Sequence, residues 1–269
     1  MILNPYRFAA AGGITDPDDV TGCVGWYDAS DSSTLLDAVT NGSPVADGAA
    51  VEVFEDKSAL GTIRDFRQTS ATSKPLRRAA QINGLDVLEF DGINDIMDLA
   101  GGSPNNALYE YSTQAEAKTV FIVSQPLTAA TVADSSSLQL YKTANTGAGG
   151  LVTGEIAYRT NTRTFVSDGT AATTCSTSAP SIITLSQSGS GNIESVISMW
   201  LDGASVARDS GNNGALVTED VITELGGYST GGFYFDGYIC EVIFYDNELS
   251  AGDRASVETY LADKWGVTI

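Results

Sequence analysis

The chain has 269 residues, is 42% hydrophobic, and carries 34 acidic against 14 basic side chains, a net charge of −20 with no histidine. That acidity excludes nucleic acid as a partner, because phosphate neutralisation needs clustered cations. The missing histidine removes Ser-His-Asp and Cys-His catalysis, histidine-ligated zinc and any histidine general base.

Residues 1–20 read as an N-terminal arm. Asn4-Pro5 and Gly12-Gly13 break regular structure, and TDPDD at 15–19 is an acidic turn. Ile2, Leu3, Tyr6 and Phe8 are apolar, so the arm either docks on a partner or packs back on its own domain. It lacks a basic start, and Asn4, Pro5 and Arg7 interrupt any apolar core, so no secretory signal is expected and synthesis in a cytoplasm is. No stretch approaches the roughly 18 apolar residues of a membrane span, so no membrane insertion is expected.

From Cys23 onward the pattern is strand-like. CVGWYDA is a short apolar segment, AVEVFEDKS (50–58) and LDVLEFDG (85–92) alternate, and KTVFIVSQ (118–125) is the continuous run of a strand buried on both faces. EIAYRTN and RTFVSDG (155–169) read as a hairpin, and SIITLSQS (181–188) as a strand. ESVISMWLDGASVARDS (194–210) is a second hairpin around Asp202-Gly203. ITELGGYS and GYICEVIFYD complete the strands. Five Asp-Gly pairs, at 47, 91, 168, 202 and 236, read as turns, because Gly tolerates positive φ and Asp bonds its own backbone. Two of them sit in a repeated Phe-Asp-Gly, 90–92 and 235–237, where each Phe is expected to point into the core and each Asp-Gly to turn the chain.

One helix is expected, near 250–265. Ser250 is its N-cap, with Asp253 at the third helical position. Val257, Tyr260, Leu261 and Trp265 share one face, and Gly266 is the stop. Cys23, Cys175 and Cys240 are widely spaced and odd in number, so neither a zinc framework nor a disulfide scaffold is expected; Cys240 reads as a small buried hydrophobe. Many strands plus one terminal helix give an all-β class: a β-sandwich of antiparallel sheets over 21–269.

Three blocks carry a family resemblance: VGWYDASDSSTL (24–35), NGLDVLEFDGINDIMDL (83–99) and FDGYICEVIFYDNELSAGDRASVETYLADKWGV (235–267), with VISMWLDGASV (196–206) as a supporting hairpin. Together they resemble the concanavalin A-like lectin/glucanase superfamily, in the laminin-G-like form common in bacterial and phage proteins. The resemblance covers about residue 21 to the end and implies a jelly roll of two curved antiparallel sheets with a C-terminal helix.

The resemblance opens three functional classes. A retaining glucanase of this fold carries Glu-x-Asp-x-Glu on one strand, where period 2 aligns the three carboxylates. That motif is absent: Glu52, Glu55 and Asp56 are split between faces, and a turn interrupts Glu89, Asp91 and Asp95. The expectation is therefore that the chain is not an enzyme. A lectin-like role needs exposed aromatic faces beside Asp or Asn. Tyr158, Tyr228 and Tyr234 lie near Gly-rich loops and are the candidates, with ordinary packing as the alternative, whereas Trp26, Trp200 and Trp265 read as core. No cofactor is required; a calcium ion on Asp91, Asn94 and Asp95 is one reading of DGIND, and solvated turn carboxylates are the other. The third class is structural. The preferred expectation is a phage virion component on the head or tail surface, a homo-oligomer held to other virion proteins through the arm and touching host glycans. A cellular carbohydrate-binding module is the runner-up.

Overall fold

The computed structural model describes residues 13–59, 64–99, 117–128, 138–142, 149–152, 157–160, 163–165, 175–189, 193–206, 221–228 and 233–269. The arm residues Ile2, Leu3, Tyr6 and Phe8, and the pair Asp168-Gly169, lie outside the described residues. In chain order the strands begin with β1 (Cys23–Asp28), β2 (Leu35–Leu36), β3 (Val53–Phe54), β4 (Phe66–Arg67), β5 (Leu76–Ile82), β6 (Leu85–Asp91) and β7 (Met97–Leu99). Next come β8 (Lys118–Pro126), β9 (Leu138–Lys142), β10 (Gly149–Val152), β11 (Ala157–Thr160), β12 (Arg163–Phe165) and β13 (Ser181–Gln187). A short helical turn, α1 (Ile193–Val196), precedes β14 (Ile197–Leu201), β15 (Ala204–Ser205), β16 (Val221–Leu225), β17 (Gly227–Tyr228), β18 (Phe233–Tyr234) and β19 (Asp236–Tyr245). The helix α2 (Ala251–Trp265) follows.

Every strand pairing among the described residues is antiparallel. One sheet of eight strands runs β15-β14-β13-β8-β19-β6-β5, with β1 also on β19. A second of nine runs β12-β11-β10-β9-β16-β7-β4-β3-β2, and β17-β18 is a separate ribbon. Strand β19 pairs with β6 along 236–239 and with β1 along 241–245, so two distant parts of the chain abut along it. The all-β, two-sheet architecture with one long C-terminal helix is the one the strand pattern predicts.

Alternation explains the layers. Val120 and Ile122 of β8 face the inter-sheet core with Leu88, Phe90, Met97, Phe54, Phe66 and Leu225. Phe121 and Val123 face the other way, into a second core beneath α2 with Ile243, Val257, Leu261 and Trp265. A strand buried on both faces must be apolar at nearly every position, as KTVFIVSQ is. Each large side chain so buried contributes roughly 1.5–3 kcal/mol.

Helix α2 is capped as its sequence dictates. Asp253 N donates to Ser250 Oγ at 3.1 Å, and Ser250 Oγ donates back to Asp253 Oδ2 at 2.8 Å. Gly266 ends it with φ +74°. Asn83, in the type of Asn-Gly turn that joins β5 to β6 with both residues at positive φ, donates its side-chain amide to Lys264 O at 2.8 Å. The outer edge of β5 is covered by residues 47–51: Gly48 N donates to Arg77 O at 2.8 Å, Arg77 N to Ala49 O at 3.0 Å and Ala79 N to Asp47 Oδ1 at 2.9 Å, while at the register shift towards β6 Ala80 N donates to Asp86 Oδ1 at 3.1 Å.

The two Phe-Asp-Gly segments pair with each other. Asp236 lies opposite Asp91, and Gly237 opposite Phe90. Phe90 and Phe235 are both fully buried, with ring centroids 6.4 Å apart. The turn expected at Asp236-Gly237 does not form; those residues start β19, held extended by pairing Gly237 with Phe90 on one side and Pro126 on the other, and the glycine serves close packing instead, since a Cβ would stand 2.5–2.6 Å from Gln125 O and the Phe235 ring. Residues 14–20 pack on the sandwich: Val20 is buried, and Tyr245 OH donates to Pro17 O at 2.9 Å. Among the described residues no helix is long and apolar enough to cross a membrane.

Candidate functional site

The paired Phe-Asp-Gly segments bring several candidate residues to one end of the molecule. Ribbon β17-β18 leads directly into β19, with Phe235 N donating to Gly226 O at 2.8 Å. Tyr228 and Tyr234 lie on its two strands, Tyr234 opposite Gly227 and Tyr228 opposite Phe233; Tyr234 is half-buried. The side chain of Tyr228 lies outside the described residues. Tyr158 is elsewhere, on β11. Its backbone register runs through Leu151 and Leu138 to Leu225, a core residue, and its side chain too lies outside the described residues.

The loop 91–95 adjoins the ribbon through Gly92 N, which donates to Phe235 O at 3.1 Å. Asp91 Oδ1 accepts from the backbone N–H groups of Ile93, Asn94 and Asp95 at 2.8, 3.1 and 3.3 Å, and Asp95 Oδ2 accepts from Asp91 N at 3.0 Å. These oxygens are turned onto the loop's own backbone. Among the described residues no group of three or more His, Cys, Asp and Glu could hold a metal ion. Asp95 is buried; desolvation, and then the neighbouring carboxylates Asp91 and Glu89, push its carboxyl up to about 7.

Sequence reasoning missed Tyr238. In β19 it lies opposite Glu89 of β6 and Gln125 of β8, on the sheet face that carries α2 further along. The next row on that face is Asp91, Asp236 and Leu127, the last joined by Leu127 N to Asp236 O at 2.9 Å. Tyr238, Gln125, Glu89 and Asp236 are half-buried, and Asp91 and Leu127 are exposed. The signal for it was the alternation in DGYICEV, which places Asp236 and Tyr238 on one face.

A second row of polar residues lies on the nine-stranded sheet, on the side away from the core. Arg67 is opposite Asp98, Asp98 opposite Glu224, and Glu224 opposite Gln139. The neighbours Phe66, Met97, Leu99 and Leu225 are core residues, which puts Arg67, Asp98 and Glu224 on the opposite face, where Asp98 is exposed, Arg67 half-buried and Glu224 buried. Directly opposed residues of an antiparallel pair have Cβ atoms about 4.5–5.5 Å apart.

A further polar cluster, around Glu241, is closed by its own contacts. Glu241 is buried and accepts from Trp26 Nε1 at 2.7 Å, Tyr260 OH at 3.0 Å, Trp265 Nε1 at 2.7 Å and Lys264 Nζ at 2.7 Å. Lys264 also pairs with Asp28 Oδ1 at 2.7 Å, and Lys57 pairs with Asp28 Oδ2 at 2.8 Å and Asp31 at 3.0 Å. Burial alone would raise the Asp28 carboxyl, but Lys264 and Lys57 outweigh it and hold it at about 2. This network ties the WYDAS block to β19 and α2. Trp26 and Trp265 serve it through their N–H groups. Trp200 instead stacks under Arg254, 4.1 Å from its centroid.

No family model matches the chain, so the concanavalin A-like, laminin-G-like resemblance has no support from that quarter, and no curated protein matches it. Solved structures do share its architecture. A Trypanosoma rangeli sialidase in complex with the inhibitor DANA superimposes with a TM-score of 0.55 at 12% identity, over 89% of this chain and 33% of that one. An arabinofuranosidase complexed with arabinofuranosyl-α-1,2-xylobiose gives 0.54 at 13% identity, over 90% of this chain and 63% of that one. The chain thus spans a third of the sialidase and under two thirds of the arabinofuranosidase. At such identity the likeness is one of fold. The fold is a β-sandwich found within glycan-handling proteins. It also corrects the expectation that the chain is not an enzyme: chains of two glycoside hydrolases carry this fold, so a missing Glu-x-Asp-x-Glu strand does not argue against catalysis.

Proposed function

We propose that this chain is a glycan-binding β-sandwich whose binding residues lie at the end where the two Phe-Asp-Gly segments pair. The observation that carries the reading is the placement there of aromatic, carboxylate and amide residues on paired strands: Tyr234 and Tyr238 with Asp236 and Gln125. Sugars are held by this combination, an apolar ring face with a few placed hydrogen-bonding groups. The structural neighbours support it, since both were captured with a saccharide or an inhibitor bound. The laminin-G-like resemblance, frequent in phage proteins, supports a finer reading: display on a virion surface, with Ile2, Leu3, Tyr6 and Phe8 as the attachment segment.

The pair Asp98 and Glu224 favours a second reading, glycoside hydrolysis. Retaining hydrolysis uses two carboxyl groups about 5–5.5 Å apart, and Asp98 and Glu224 are directly opposed across β7 and β16, a position whose Cβ atoms stand about 4.5–5.5 Å apart and which brings two carboxyl groups within reach of each other. A glycan array, read with calcium and with chelator, tests the first reading, and reducing-end release from any bound glycan tests the second. Binding without turnover supports the first alone; turnover lost in Glu224→Gln and Asp98→Asn supports the second. A folded protein that binds no glycan refutes the proposal.

A further inference from the structure

Among the described residues, the large hydrophobics left exposed are Val39, Ile93, Leu127 and Ile269. One of the four, Leu127, lies at the Phe-Asp-Gly end of the eight-stranded sheet, in the row next to Tyr238 on the helix-side face, and Ile93 is on the loop that leaves β6 at the same end. Beside Leu127 that face presents Tyr238 at the margin of the core beneath α2. Exposed apolar groups gathered in one place and rimmed by polar ones mark a contact surface.

The polar groups say what the surface accepts. Arg78, the cation of this patch, is already committed to Glu89 through its Nε. Gln125 donates Nε2 to Thr177 O at 3.1 Å, which fixes the amide and leaves its oxygen as an acceptor. Asp236 adds a carboxylate in the neighbouring row, beside Asp91, whose Oδ1 is held by the loop backbone and which adds negative charge. All these positions lie on paired strands, which fix their spacing more firmly than loops do. Acceptors in excess suit the many hydroxyl donors of a sugar. The same carboxylates, on a chain of net charge −20, repel a sugar acid.

We propose that this face binds an uncharged saccharide laid flat on Tyr238, with the Gln125 amide and the Asp236 carboxylate accepting its hydroxyl hydrogens. The proposal rests on the glycan-binding reading and adds to it a location and a substrate class. It separates this chain from the sialidase whose architecture it shares: sialic acid carries a carboxylate that the face disfavours.

The test is titration of the full chain, by calorimetry, with neutral xylo-, arabino- and cello-oligosaccharides and with sialyllactose and an oligogalacturonate. The expected result is binding of a neutral oligosaccharide and none of the acidic ones. Tyr238→Ala should weaken it at least about tenfold, the scale of one lost ring contact. Tyr238→Phe should keep most of it, and Gln125→Ala and Asp236→Asn should weaken it at unchanged unfolding temperature. These two variants keep the question open to refutation should Tyr238→Ala not fold. Preference for an acidic sugar overturns the substrate class. Neutral-sugar binding that survives Tyr238→Ala, Gln125→Ala and Asp236→Asn overturns the location and leaves the glycan reading standing. No binding of any glycan by folded wild-type protein removes that reading itself, and the location with it.

Discussion

Replacing Glu241 by Gln removes one negative charge from a site that four donors surround. Trp26 Nε1, Trp265 Nε1, Tyr260 OH and Lys264 Nζ all point at its two oxygens, at 2.7–3.0 Å. A glutamine keeps the shape but offers one acceptor and an NH2 group, which must face donors whichever way it is turned. Lys264, half-buried, is left with Asp28 as its ion-pair partner while Asp28 is shared with Lys57. Breaking a buried ion pair from one side costs roughly 3–5 kcal/mol. For a domain of this size that is a fall in the unfolding midpoint of about 6–20 °C. Scanning calorimetry of wild type and Glu241→Gln at neutral pH measures it, with urea denaturation as a check on ΔG. A loss below about 1 kcal/mol would refute the view that this network locks β1, β19 and α2 together.

Three further outcomes follow from the structure. Asp28, held at about 2 by its lysines against an ordinary value of 3.8, adds stability above its unfolded pKa that is lost as pH falls through 4 towards 2; Asp28→Asn should be less stable at pH 7 and lose that acid slope. Asp95 is the opposite case. Its folded-state carboxyl, near 7, binds its proton more tightly than the unfolded one does, so stability falls as pH rises from about 4 to 7, and Asp95→Asn should flatten denaturation midpoints between pH 5 and 8. Gly226 has φ +88°, and an added Cβ would meet the Phe90 ring at 2.1 Å, so Gly226→Ala should cost about 1–3 kcal/mol or more in urea unfolding.

Local chemistry was legible in the sequence. Ser250, Gly266 and the Asp202-Gly203 turn act through residues within a few positions of one another, and each was readable from its own neighbourhood. The two-faced burial of β8 was equally readable, because a strand covered on both sides cannot hide its composition. What the sequence left dark was set by long-range pairing. Two identical tripeptides 145 positions apart read as two turns until β6 and β19 align them. Glu241 looked like any strand carboxylate, since its partner Trp26 is 215 residues away. Tyr238 was passed over because its exposure depends on which part of the sheet α2 covers, a matter of helix placement rather than of local pattern.

The most direct measurement is a crystal structure of this chain with the oligosaccharide it binds best. The account predicts a sugar ring stacked on Tyr238, with hydroxyls on Gln125 and Asp236. A sugar seated over Arg67, Asp98 and Glu224 instead, with Tyr238 bare, would contradict it.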